Sequence, residues 1–196
     1  MNSHPHARSP ELMSADDTLL LVVDVQEKLM RLIPDEQSIV WNIRRLLDAA
    51  KILGVPSLGS EQYPQGLGPT VPELAGKLGK IPAKVAFSCA GCDEIVSEIE
   101  RLDRPKVLVV GIEAHVCVQQ TVLDLLSRSL RVYVAADAVG SRSDHDCKIA
   151  MRRMETSGAT ITTTEAAMFE WCQVAGTPQF KQISALVRQA APTKDL

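Results

Sequence analysis

The sequence predicts a three-layer α/β/α domain on a doubly wound, mostly parallel sheet. Short unbroken apolar runs, TLLLVV (residues 18–23) and KVLVVGI (residues 106–112), read as strands buried on both faces. Segments of helical periodicity separate such runs, and this alternation is what parallel crossover connections require. A chain of 196 residues suits one core, enough to bury about 70% of the surface its unfolded form exposes.

Residues 1–17, MNSHPHARSPELMSADD, are polar and proline-bearing and lack an apolar signal-peptide core, so they are expected to form a flexible arm before a single domain over residues 18–196. His4 and His6 belong to that arm. Thr18 to Val23 is the first strand and ends at Asp24. From Asp35, the residues Ile39, Ile43, Leu46, Leu47, Ala50 and Leu53 recur at helical spacing until Gly54 and Pro56 stop the helix. Val55 to Leu58 reads as a brief second strand, and the Gly/Pro-rich stretch from Ser60 to Pro82 as a functional loop. After KVLVVGI, Val118, Val122, Leu125 and Leu126 mark the inner face of a helix beginning near Cys117. RVYVAADA is a further strand, followed by a helix from Asp144 to Thr156 with Ala150, Met151 and Met154 inward, stopping at Gly158. ATITTT is the last strand, and Phe180, Ile183, Leu186, Val187 and Ala190 define a closing helix.

Composition narrows the function classes. With 45% apolar and 23% charged residues the chain is an ordinary globular protein, and its formal net charge of -3 offers no basic footprint for nucleic acid. No run approaches the roughly 20 apolar residues of a membrane span. Five cysteines are an odd number, and without a signal peptide they read as reduced thiols of a cytoplasmic protein.

In an open parallel sheet the ligand site lies beyond the carboxyl ends of the strands, where strand order reverses. Asp24 and Cys117 each follow a strand expected at the centre. A thiol reacts as its thiolate and needs a base, a cation or a helix N-terminus nearby. Asp24 could accept the proton, and Lys84, just after the loop, could hold the charges in register. Taken singly, each residue has an ordinary role: a buried packing cysteine, a helix-capping aspartate, a solvated lysine.

The series VVDVQEKL, then KVAFS, then VGIEAHVCVQQTVLDLLSRSLRVYVAADAVGSRS resembles the isochorismatase-like cysteine hydrolase superfamily over nearly the whole chain. EQYPQGLGPTVPEL is most similar to the isochorismatase domain-containing proteins within it. The resemblance implies that Asp24 is the general base, Lys84 its charge-holding partner and Cys117 the nucleophile. It implies a cis peptide at Ile112–Glu113, with the amides of Glu113 and Cys117 facing an oxyanion. True isochorismatases cleave a vinyl ether and lack this cysteine, so Cys117 favours attack on the carbonyl of a small amide, imide or carbamoyl substrate, giving a thioester that water hydrolyses. Members of the superfamily commonly form homo-oligomers. Two alternatives stand beside this reading: a metal-assisted nicotinamidase-like amidase, and a catalytically silent oligomeric interaction protein.

Nicotinamidases of the superfamily build a metal site from an Asp-x-His pair and further histidines after the second strand. Here that region reads SLGSEQYPQGLG, without histidine, so no metal and no other cofactor is expected. His115 stands two residues before Cys117, a separation that does not face two side chains toward each other near a helix start, so it is expected to line the pocket or bond backbone. His145 falls in the first turn of a surface helix. Cys89 and Cys92 have C-x-x-C spacing, but no second pair or histidine accompanies them, and they read as incidental thiols. Glu61, Gln62 and Tyr63 are expected to shape the pocket, Phe87 to form an apolar wall, and Gln120 to bond the nucleophile turn.

Overall fold

The structure, a computed structural model, describes residues 7–192. In chain order the elements are β1 (Thr18–Val23), α1 (Glu27–Met30), α2 (Glu36–Leu53), β2 (Ser57–Gln62), α3 (Pro64–Leu67), α4 (Pro72–Ala75) and β3 (Ala83–Lys84). A 3-10 turn (Cys89–Gly91), α5 (Asp93–Leu102), β4 (Lys106–Ile112), a π turn (Ala114–Val118) and α6 (Gln119–Ser127) follow. β5 (Arg131–Gly140), α7 (Asp144–Thr156), β6 (Thr160–Thr162), α8 (Thr164–Cys172) and α9 (Pro178–Val187) complete the chain.

The strands pair in parallel in the order β3-β2-β1-β4-β5-β6, so the order reverses between β1 and β4. Alternation along β1 builds both halves of the core. Leu20 and Val22 enter a cluster with Ile43, Leu46 and Trp171 beneath α2, α8 and α9. Leu19, Leu21 and Val23 enter another with Ile95, Val122 and Met154 beneath α5, α6 and α7. A strand buried on both faces accounts for the unbroken apolar runs.

Helix boundaries follow local chemistry. Gly54, at φ +77°, closes α2 in the left-handed conformation that glycine adopts without steric cost. Ser143, Thr163 and Thr177 cap α7, α8 and α9 by accepting from Asp146, Ala166 and Phe180 N–H. Gly111 has φ +115°, beside a register irregularity between β4 and β5, and a Cβ built there would lie 2.1 Å from Val23 O. Only glycine lets these two central strands meet.

Several expectations change. The second strand extends to Gln62, because its ladder to β1 continues through Val23 and Ser60. The stretch from Ser60 to Pro82 is built rather than open: it contains α3 and α4, buries Val71 and Leu74, and docks on the turn after β1 through Glu27 N to Pro69 O and Val71 N to Val25 O. The expected flexible arm is corrected in its later part, residues 1–6 lying outside the described residues. Met13 is fully buried, its N–H donates to Glu170 Oε2, and Arg8 donates to Met13 O and Glu170 O. Lys106, Arg131 and Tyr133 donate to the carbonyls of Leu12, Pro10 and Glu11. These bonds seat the segment against the amino ends of β4 and β5.

Two measurements check this architecture. Gly111→Ala is expected to cost more than about 3 kcal/mol in urea unfolding, or to prevent folding, and a loss below about 1 kcal/mol would contradict the close approach to Val23. Burial works to raise the Asp17 carboxyl, but Lys106 and hydrogen bonds from Ser14 and Thr18 outweigh it and hold the group below its ordinary 3.8. A depressed folded value contributes stability above the unfolded value and loses it as pH falls through the folded one. Asp17→Asn should therefore flatten the decline of the urea midpoint between about pH 5 and pH 2.

Candidate active site

Asp24 follows β1 with φ 51°, and its side chain has no solvent exposure. Lys84 ends β3, opposite Gln62 of β2, and its side chain is 1% exposed. Lys84 Nζ donates to Asp24 Oδ2 at 2.7 Å. The same ammonium donates to Gln62 Oε1 and Phe87 O, each at 2.8 Å, with Ala86 O at 3.2 Å. An ammonium has three protons, so Lys84 is saturated and keeps none for a ligand. Its part is to hold charge.

Cys117, 5% exposed, lies in the π turn between β4 and α6. Val118 N–H reaches back to Glu113 O at 3.2 Å, the widened bond that places the turn directly at the strand end. The helix proper begins at Gln119, slightly later than the sequence predicts. The Cys117 thiol lies within electrostatic reach of the Asp24 carboxylate. Burial, then the Asp24 charge, push its ionisation far above the ordinary thiol range, with Lys84 opposing. The resting sulfur is thus a neutral thiol near the carboxylate that Lys84 binds, an arrangement in which the proton can pass to Asp24 as the sulfur reacts.

The Ile112–Glu113 peptide bond is cis. Glu113 turns its carboxylate to the segment after β5, where Arg142 binds it through the main-chain N–H at 3.0 Å and the guanidinium at 3.0 Å. His115 Nδ1 shares a 3.0 Å hydrogen bond with Ser141 Oγ, so the histidine braces the same segment.

The remaining candidates divide. Gln62 belongs to the centre, accepting from Lys84 and donating to Val85 O at 2.8 Å. Glu61 instead ties the docked loop, accepting from Thr70 N at 2.6 Å and Thr70 Oγ1 at 2.8 Å. Tyr63 and Phe87 are half-exposed, and Phe87 serves the site through its carbonyl. Gln120 is corrected: it is exposed and makes no hydrogen bond to the nucleophile turn, because Val118 and Val122 face inward and leave the position between them outward. The reading of Cys89 as incidental is corrected too, since its thiol lies 3.4 Å from Ser60 Oγ, which donates to Asp24 Oδ1 at 2.7 Å. The Cys92 thiol donates to Ala83 O at 3.9 Å. Both thiols are free. Ser60 gave no sequence signal, since it opens the stretch read as a loop, and only the register shows its partner.

Among the described residues, no group of three or more His, Cys, Asp or Glu side chains is placed to hold a metal ion. The donors after β2 are engaged elsewhere, Glu61 by Thr70 and Gln62 by Lys84, so they do not fit a nicotinamidase-type metal centre. Among the same residues, no helix is long and apolar enough to cross a membrane.

A family model described as Isochorismatase domain matches residues 18–166, which include the whole Asp24–Lys84–Cys117 cluster. The chain belongs to the isochorismatase family. It is 39% identical over 185 residues to isochorismatase domain-containing protein 2 from Danio rerio, covering 94% of this chain and 93% of that one. The solved structure of a protein named MAR1 ribonuclease from Caenorhabditis elegans is 40% identical with a TM-score of 0.86, covering 94% and 96% of the two chains. The YcaC gene product from Escherichia coli, described as an octameric hydrolase of unknown specificity, shares the fold at a TM-score of 0.84 and 21% identity, covering 92% of each chain. The isochorismatase-like hydrolase fold is thus common to all of them.

Removing Lys84 leaves Asp24 a buried, uncompensated charge. Lys84→Ala is expected to cost about 3 to 5 kcal/mol in chemical denaturation at neutral pH, and a cost below about 1 kcal/mol would show that the pair is not the anchor of this end of the sheet.

Proposed function

We propose that the protein is a metal-independent cysteine hydrolase that cleaves the C–N bond of a small amide, imide or carbamoyl compound through a thioester. One observation carries this: a buried thiol in the field of a buried carboxylate that a saturated ammonium holds in place. As the Cys117 sulfur adds to the carbonyl carbon, Asp24 takes its proton, and the amides of Glu113 and Cys117 receive the oxyanion. Collapse breaks the C–N bond, and the proton passes from Asp24 to the departing nitrogen. Water then attacks the thioester, Asp24 accepts its proton, and the acid leaves as the thiol is restored.

Lys84 holds Asp24 in place between steps and, with its protons engaged, leaves proton transfer to the carboxylate. The ribonuclease in the name of the C. elegans relative finds less support here. Asp24 is the proton acceptor beside the thiol, the His115 ring is engaged with Ser141, and the net charge of -3 does not favour a polyanion. A homo-oligomer belongs to the same proposal, because Tyr63, Val85 and Phe87 expose apolar side chains around β3 that a second copy would cover. A reducing cytoplasmic setting suits the five free cysteines.

The test is ammonia release from small primary amides and carbamoyl compounds, and ring opening of small cyclic imides, with mass spectrometry of the acidified reaction. Wild type should release ammonia and carry an acyl mass on Cys117, Cys117→Ala should do neither, and prior chelation should leave the rate unchanged. A chelator-sensitive rate would return the metal-assisted alternative. Ammonia release that survives Cys117→Ala would end the thioester reading, as would RNA cleavage that depends on Cys117.

A further inference from the structure

The base has two carboxylate oxygens, and Lys84 accounts for one of them. The other, Asp24 Oδ1, accepts the Ser60 hydroxyl at 2.7 Å in a fully enclosed setting. The sheet fixes that neighbour: Val23 pairs with Ser60, and the ladder continues one step past β1 as Asp24 N–H donates to Ser60 O at 3.2 Å. A serine hydroxyl has one proton and can turn it to several acceptors. Here the Cys89 thiol donates to Ser60 Oγ at 3.4 Å, which commits the single hydroxyl proton to Asp24. Burial, then the Asp24 charge, push the Cys89 thiol up to about 11, so it keeps its proton through the neutral range. The Cys89 N–H in turn donates to Thr121 Oγ1 at 2.9 Å, on the helix that follows the nucleophile turn. An unbroken chain therefore runs from α6 through Cys89 and Ser60 to the oxygen of the base that the cation does not hold.

We infer that Ser60, backed by Cys89, is a positioning residue for the base: it fixes the plane of the Asp24 carboxylate so that a lone pair faces the Cys117 thiol. The inference rests on the reading of Asp24 and Cys117 as base and nucleophile. The terminal torsion of an aspartate is broad and does not select a plane by itself. One ammonium on a flexible stem restrains one oxygen, and the hydroxyl on the neighbouring strand supplies the second point that stops rotation.

The experiment uses 4-nitrophenyl acetate, whose acyl transfer to Cys117 releases 4-nitrophenolate. Release is followed for wild type, Ser60→Ala, Ser60→Thr, Cys89→Ala, Asp24→Asn and Cys117→Ala. Ser60→Ala should lower kcat about tenfold or more with KM within about twofold. Ser60→Thr, which keeps the hydroxyl, should recover most of that loss, and Cys89→Ala should show a smaller fall in the same direction. Wild-type kcat in Ser60→Ala, or a loss that Ser60→Thr does not recover, overturns the inference. If Ser60→Ala does not fold, Cys89→Ala decides, and an unchanged kcat there overturns it. The underlying reading is judged separately: release that survives Asp24→Asn and Cys117→Ala, or no release by wild type above buffer, removes both. Dependence on Asp24 and Cys117 with indifference to Ser60 removes only the positioning role.

Discussion

A carboxylate with no solvent contact, set at the end of a central parallel strand, is the constraint on which this end of the molecule depends. An isolated buried charge is costly, and its attraction to a partner compensates only when both ions satisfy their remaining hydrogen-bonding capacity. Lys84 satisfies Asp24, and Gln62, Phe87 and Ala86 satisfy Lys84. Gln62 is held in turn by Gln26, whose amide oxygen accepts from Gln62 N at 2.8 Å and whose nitrogen donates to Gln62 O and Gly68 O. The length of β2, the brief β3 and the docked loop all follow from surrounding one charge with polar partners.

The same constraint separates two jobs that a single lysine could have shared. A cation with a free proton would itself donate to a ligand; a saturated one acts as a fixed field. Cys117 and Asp24 come from strands on either side of the reversal in strand order, and Lys84 comes from the edge. This distributes the chemistry over three strands, so the sheet itself sets the geometry.

Much of this was legible because the signals are local. TLLLVV, KVLVVGI and the Asp144–Thr156 helix lie where the apolar pattern places them, since burial on both faces or on one stripe leaves a direct mark. α5 and α8 were not legible. The first is short and highly charged, and the second is apolar on too many sides to show a stripe. β3 is defined by its ladder to β2, which no local pattern records. In the site, Asp24 and Cys117 could be placed from strand ends and Lys84 from its position just after the loop, and the resemblance assigned the three their roles. Ser60 and Cys89 could not, because their meaning lies in a strand register and in a bond across 29 residues. Gln120 failed for the opposite reason: nearness in sequence to Cys117 said nothing about the side of the helix it faces.

The segment from Arg8 to Asp17 has a consequence for the order of events during synthesis. It leaves the ribosome before β5 and α8, yet Glu11 binds Tyr133 across 122 residues and Met13 binds Glu170 across 157. Its docking ground does not exist until β5 and α8 have been made. The segment must therefore wait until α8 has been made with the Met13 side chain unhoused, and it closes over the floor of the sheet as a late latch. A tether or fusion partner that held it away would trap the domain one step short of its final packing while leaving the opposite, chemical end assembled.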